Sequence, residues 1–186
     1  MHMYRKCVTE ISVQHQKQVE EALLMLMQQM PLSEITVTHL CRESGVSRRI
    51  FYHLFSNKTG ALYALIDHYI LDMGSSFLDV EDQALRFFLY WKQQKKFLDA
   101  LCSNDFLGLL LERMILNVLS EDYDLLYWLR SNGWKQEKDV LIFNLSGIMG
   151  MVCSWYYSGY EKSPEEMAAL ITHMMTHPLA SPNQVK

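Results

Sequence analysis

Backbone breakers are scarce in this chain, with only 4 prolines and 8 glycines among 186 residues. Proline removes a helix donor and glycine weakens a helix, so long stretches free of both favour helices over many short strands. Apolar residues make up 49% of the chain, enough for a real core and too much for wholesale disorder. The expected fold is therefore all-α, either one mid-sized domain or a small domain joined to a larger one.

Periodicity divides the chain further. From about Ser12 to Met30, Val19, Ala22, Leu23, Leu26 and Met30 recur at steps of three and four, with Gln16, Lys17, Glu20 and Glu21 on the other side. Pro31 ends this first helix. A short linker follows, and Thr36 is placed to cap a second helix whose apolar face is Val37, Leu40 and Cys41. That helix ends at Ser44 and Gly45, and Gly45 suits the left-handed backbone of a tight turn. Ser47 can cap a third helix, and Ser56 with Asn57 a fourth running to about Met73. Beyond Gly74, Ser75 and Ser76, the candidate helices are Glu81–Cys102, Asp105–Leu119, Tyr123–Ser131, Lys135–Tyr157 and Pro164–Thr176. The expected organisation is a three-helix helix-turn-helix head over 9–56, a larger helical body over 57–178 and a flexible tail over 179–186.

The stretch from Val46 to Phe55 carries the chemistry. At about 100° per residue, Arg48, Arg49, Tyr52 and His53 share one arc, while Ile50, Phe51, Leu54 and Phe55 take the opposite one. One face can anchor the helix, and the other is polar, basic and aromatic, as a helix inserted in a major groove requires. Arginine can pair in bidentate fashion with the guanine edge. Tyrosine and histidine can fix phosphates without reading sequence. A pair of arginines on an amphipathic helix is more often a solvated face; the short preceding helix, the glycine turn and the caps weigh toward DNA.

The formal net charge of -4 argues less against DNA than its sum suggests. Residues 1–60 hold seven Lys/Arg against five Asp/Glu, so the basic excess sits in the N-terminal third. The four cysteines (Cys7, Cys41, Cys102, Cys153) are far apart, which fits neither a disulfide framework nor a zinc site and points to a reducing cytoplasm. The start has no basic-then-apolar pattern of a secretory signal. Val140 to Tyr160 lacks charge and is long enough to span a bilayer, but Asn144, Ser146, Gly147, Gly150, Ser154 and three tyrosines favour a helix buried between subunits. His173 and His177 stand one turn apart with no carboxylate or cysteine nearby to complete a metal site. No phosphate loop, nucleophile elbow or zinc-protease motif occurs, so neither catalytic residue, metal nor cofactor is expected.

Ile35 to Lys58 resembles the DNA-binding signature of the tetracycline-repressor (TetR) family. The likeness rests on a threonine opening the second helix, the turn Gly45-Val46-Ser47, the pattern Phe51, Tyr52 and Phe55 in the recognition helix, and Lys58 at the start of the fourth helix. It covers about residues 12–72. The body matches in length and helical character, and its Tyr90-Trp91-Lys92 is similar to a stretch in some C-terminal domains of that family. The resemblance implies that Thr38, Ser47, Tyr52, His53 and Lys58 hold the DNA backbone, with Arg48 and Arg49 making base contacts. Departures are Arg49 where glycine is common, Leu54 where an aromatic is common, Ser56 where lysine is common, and Thr59-Gly60 in place of a usually acidic, helix-favouring pair.

The resemblance implies a ligand-responsive regulator, a repressor that binds a palindromic operator as a homodimer and is released by a small-molecule effector. For the dimer interface we expect Gly147, Gly150, Met151, Ser154 and Trp155, where small residues let another helix approach; the alternative is a helix buried within one chain. For the effector pocket we expect Phe87, Trp91, Leu107, Leu111, Met114 and Phe143, against the alternative of plain core. The other functional reading is a TetR-like coactivator that acts through a protein partner or ligand-loaded subunit.

Overall fold

Caps and breakers set the helix boundaries. A computed structural model describes residues 3–5, 7–75, 82–119 and 138–176, and the expected helix Tyr123–Ser131 and the 179–186 tail lie outside them. Among the described residues the chain forms α1 (Glu10–Met27), α2 (Val37–Ser44), α3 (Arg48–Leu54), α4 (Lys58–Ser75), α5 (Gln83–Gln93), α6 (Lys95–Cys102), α7 (Leu107–Leu119), α8 (Lys138–Tyr157) and α9 (Pro164–Thr176). The fold is all-α. The single helix expected over Glu81–Cys102 is two, because the chain leaves helical geometry at Gln94 (ψ 26°), where neither glycine nor proline marks the break.

The chain forms two compact units, Met1–Leu71 with Lys96–Leu116, and Asp72–Lys95 with Asn117–Lys186. This division differs from a single boundary near residue 57, because most of α4, α6 and most of α7 group with the head.

In the first unit, α1, α2 and α3 pack on one another. Val19, Leu23 and Leu26 of α1, Leu40 of α2, Phe51 and Leu54 of α3, and Leu62 and Ile66 of α4 are buried. Phe51 has no exposed surface, and removing such a ring costs about 3–5 kcal/mol. Tyr69 of α4 stacks on Phe97 of α6 with centroids 3.8 Å apart. Asn104, in the α6–α7 turn, accepts the Leu32 N–H (2.6 Å) and donates to Ala100 O (2.9 Å), which ties that turn to the α1–α2 linker.

A buried carboxylate organises the same unit. Asp67 of α4 accepts from Tyr4 Oη (2.5 Å), from Arg113 Nε of α7 (2.8 Å) and from Arg113 Nη2. Arg113 also lies over the Tyr63 ring, 5.1 Å from its centroid. Burial alone would lower the pKa of Arg113; the hydrogen bonds and charge of Asp67 outweigh it and hold the guanidinium above its ordinary value. A buried charge is tolerated when it is paired and hydrogen-bonded in this way.

In the second unit α5 packs against α9. Phe88 meets Trp155 of α8 edge to face at 5.4 Å, and the Trp155 indole donates to Lys162 O at 2.8 Å. Ser163 and Glu166 form a reciprocal cap at the start of α9: the Ser163 N–H donates to Glu166 Oε2 (2.7 Å) and the Glu166 N–H to Ser163 Oγ (3.2 Å). Pro164 takes the first helical position, where its missing N–H costs nothing.

Candidate nucleic-acid interface

The helix-turn-helix is built from local chemistry. Thr36 Oγ1 accepts the His39 N–H (3.1 Å) while the Thr36 N–H donates to His39 Nδ1 (3.4 Å), so α2 opens with a reciprocal cap. Gly45 ends α2 at φ 70°, a left-handed conformation in which any side chain is strained. Val46 then turns inward and is buried. Ser47 Oγ accepts the Ile50 N–H (3.3 Å) and starts α3.

This geometry separates the two arcs of α3. Phe51, Leu54 and Phe55 are buried and Ile50 is half-buried, whereas Arg48, Arg49, Tyr52 and His53 are exposed. The Tyr52 ring is held edge to face on Phe51 (centroids 5.5 Å) while 52% of the residue stays open to solvent. Thr38, the second residue of α2, is exposed as well. Arg48 acts electrostatically on Cys41 of α2: burial pushes the Cys41 thiol above its ordinary pKa, and Arg48 opposes that shift. Thr38, Ser47, Arg48, Arg49, Tyr52 and His53 therefore all present accessible surface from α2, the turn and α3.

Lys58 departs from its expected role. Its Nζ donates to Leu32 O (2.6 Å), Ser33 O (2.9 Å) and Ile35 O (2.8 Å). An ammonium has three donors, and three carbonyls of the α1–α2 linker take them all, which leaves none for a phosphate. The lysine fastens the linker that leads into α2.

The residues expected to form a pocket are divided. Phe87 and Trp91 are buried in the second unit, their rings 6.3 Å apart and edge to face, while Met114 is buried and Leu107 and Leu111 are half-buried in the first. Phe143 is a correction: it is 76% exposed, because it lies on the outer face of α8. A groove of about 410 Å³ does occur within the second unit, lined by Asp82, Leu85, Glu165, Ala168, Ala169, Thr172 and His173, none of them an expected pocket residue. Glu165, an exposed residue, has its pKa lowered by hydrogen bonds from the backbone and from Ser163.

The expected interface residues fall on two faces of α8. Gly147, Gly150 and Ser154 are exposed and Met151 is half-buried, but Trp155 is a second correction: only 3% of it is accessible, since it belongs to the core with Phe88 and Tyr160. Leu141, Leu145, Ile148, Met149 and Val152 share that inner face. The outer face runs Val140, Phe143, Gly147, Gly150, Ser154 and Tyr157, in alternating steps of three and four and without a charge. Gly147, Gly150 and Ser154 of this seam are expected interface residues; its extension by Val140, Phe143 and Tyr157 was not singled out from sequence, where an apolar helix shows no strong preference of side. Among the described residues, no three His, Cys, Asp or Glu side chains are grouped to hold a metal.

Comparison with known proteins agrees with this architecture. Residues 79–177 match a TetR-type family described as a transcriptional regulator C-terminal region. The fold is similar to the crystal structure of a TetR transcriptional regulator from Streptococcus agalactiae 2603V, with a TM-score of 0.61 and 19% identity over 88% of this chain and 94% of that one. No curated protein sequence matches the chain.

Proposed function

The chain belongs to the TetR family of transcriptional regulators, and from that premise we propose that it is a repressor that binds a palindromic operator as a homodimer and leaves it when a small-molecule effector binds. The observation that carries the DNA reading is the exposed arc Arg48, Arg49, Tyr52 and His53 on a capped helix whose other arc is anchored in the core. Arg48 and Arg49 read base edges, and Thr38, Ser47, Tyr52 and His53 hold the backbone. Two copies of α3 would reach successive major grooves, roughly 34–36 Å apart.

The outer face of α8 supports the homodimer. Gly147 and Gly150 each weaken a helix by about 1 kcal/mol relative to alanine. A Cβ at either would meet nothing within 4 Å, so packing inside this chain does not require them. A second copy that approaches the glycines closely gives that cost a return. The same seam supports burial at a subunit contact for α8, which among the described residues is the helix long and apolar enough by length and composition to cross a membrane. Support for an effector comes from Trp91, whose indole N–H is buried with no hydrogen-bond acceptor among the described residues. A ligand carrying an acceptor would relieve that donor, whose isolation costs about 1–3 kcal/mol. Four free cysteines fit action in the reducing cytoplasm.

Fluorescence anisotropy with a duplex from the gene's own upstream region, at several salt concentrations, tests the DNA reading. Wild type should bind tightly with strong salt dependence, and Arg48→Ala should lose about 1–3 kcal/mol of discrimination between that duplex and a scrambled one. Equal binding of both duplexes by wild type would overturn the reading. Candidate effectors added to the bound complex should lower the anisotropy.

A further inference from the structure

Gly60 stands buried in the first turn of α4, where alanine is the better helix former. A Cβ built on it would lie 2.2 Å from Met3 O and 3.1 Å from Met3 C. Something must shift at such distances, and the obstacle is backbone. The departure at Thr59-Gly60 thus has a physical reason: it makes room for the chain segment that precedes α1.

That segment is fixed at four points. The Ser56 N–H donates to Met3 O (3.1 Å) and the Arg5 N–H to Leu54 O (2.9 Å), which frames an antiparallel bridge between Tyr4 and Phe55. The Tyr4 hydroxyl donates to buried Asp67, whose charge Arg113 already balances. Gly60 supplies the close approach. Neighbouring side chains in an extended segment point to opposite sides. Tyr4 reaches inward to α4, and Arg5 is exposed. Arg5 makes no ion pair among the described residues, and its backbone lies against Leu54, next in sequence to His53 on the DNA-facing arc.

We propose that Met3–Arg5 is a fixed arm of the DNA-binding head and that Arg5 is a further phosphate contact at the C-terminal end of the recognition helix. The proposal rests on the DNA-binding reading of α3 and adds to it a residue outside the helix-turn-helix. A guanidinium offers several donors in a planar fork that matches phosphate oxygens. Because the arm is ordered before DNA arrives, binding does not have to immobilise it. The contact is to the backbone and carries no sequence preference.

Arg5→Ala and Gly60→Ala in the full chain, compared with wild type on the upstream and scrambled duplexes over a salt series, test the arm. One phosphate contact contributes about 0.9 to the slope of log K against log salt. Arg5→Ala should flatten the slope by about that amount and weaken binding roughly eightfold at 0.1 M salt, equally on both duplexes. Gly60→Ala should produce the same loss by dislodging the arm. Hydrogen exchange should then show the Arg5 and Ser56 amides losing protection while α4 keeps its own. A salt-dependent wild type whose slope and affinity survive Arg5→Ala would overturn the arm alone. A wild type that binds no duplex would overturn the DNA reading and the arm together, and retained Arg5 and Ser56 protection in Gly60→Ala would refute the role of Gly60.

Discussion

Helices α3 and α8 each bury one apolar face and expose the other, and the exposed faces have opposite characters. On α3 the outer face is Arg48, Arg49, Tyr52 and His53; on α8 it is Val140, Phe143, Gly147, Gly150, Ser154 and Tyr157. A cationic arc is at ease in water and gains from a polyanion that releases counterions on binding. An uncharged face with glycine gaps gains little from water and much from a second helix that closes on it. The lesson is that the partner is written in what the exposed face lacks. Under the proposed function, charge is missing where a second copy would dock, and small residues are missing where a groove would be read.

The largest effect that could break this contrast is Gly150→Glu. Twofold symmetry would bring two carboxylates into the closed seam, and an unpaired charge buried there costs several kcal/mol. A monomer at micromolar concentration in sedimentation, with helix content unchanged because a side chain at 150 has open space in the single chain, is the expected outcome. A dimer that persists would move the interface off this face.

Lys58→Met sharpens the contrast from the side of the head, because it separates structural cations from DNA-binding ones. Loss of three carbonyl partners should destabilise the first unit by about 2 kcal/mol in urea unfolding, with the salt slope of DNA binding unchanged. A slope lower by about one, without loss of stability, would return the lysine to the phosphates.

The smallest test sets two glycines with open surroundings against each other. Gly45 has φ 70°, whereas Gly147 sits inside α8. Gly45→Ala should destabilise by about 1 kcal/mol through backbone strain. Gly147→Ala should stabilise the dissociated chain by about 0.5–1 kcal/mol through helix propensity while weakening the dimer. Thermal unfolding at low and high concentration would read both signs.

What the sequence disclosed was local. Thr36, Gly45 and Ser47 announced α2, the turn and α3 because caps and a left-handed turn act on residues within a few positions, and the period of 3.6 placed the four exposed residues of α3 on one arc. Lys58 was misread because its partners are carbonyls 23 to 26 residues away, which no spacing rule anticipates. Still longer separations, 46 and 63 residues, hid the Asp67–Arg113 pair and the docking of Tyr4. In α8 apolar residues fall on every side, so periodicity could not decide that Phe143 faces out and Trp155 in. The break at Gln94 carried no residue that terminates helices, and only the packing of α5 and α6 in different units makes sense of it.

Asp67 finally bears on how such a regulator can be recombined. Its cation comes from α7, and the linker leading into α2 is held by Asn104 from the α6–α7 turn. A crossover near residue 57, joining this head to a foreign body, would leave the Tyr4 hydroxyl without Asp67, the Leu32 N–H without its acceptor and the linker carbonyls without Lys58. The inheritable piece is therefore discontinuous, residues 1–71 together with 96–116. Exchange of the remaining parts should succeed between chains that share α6 and α7 and fail between chains that share the helix-turn-helix alone.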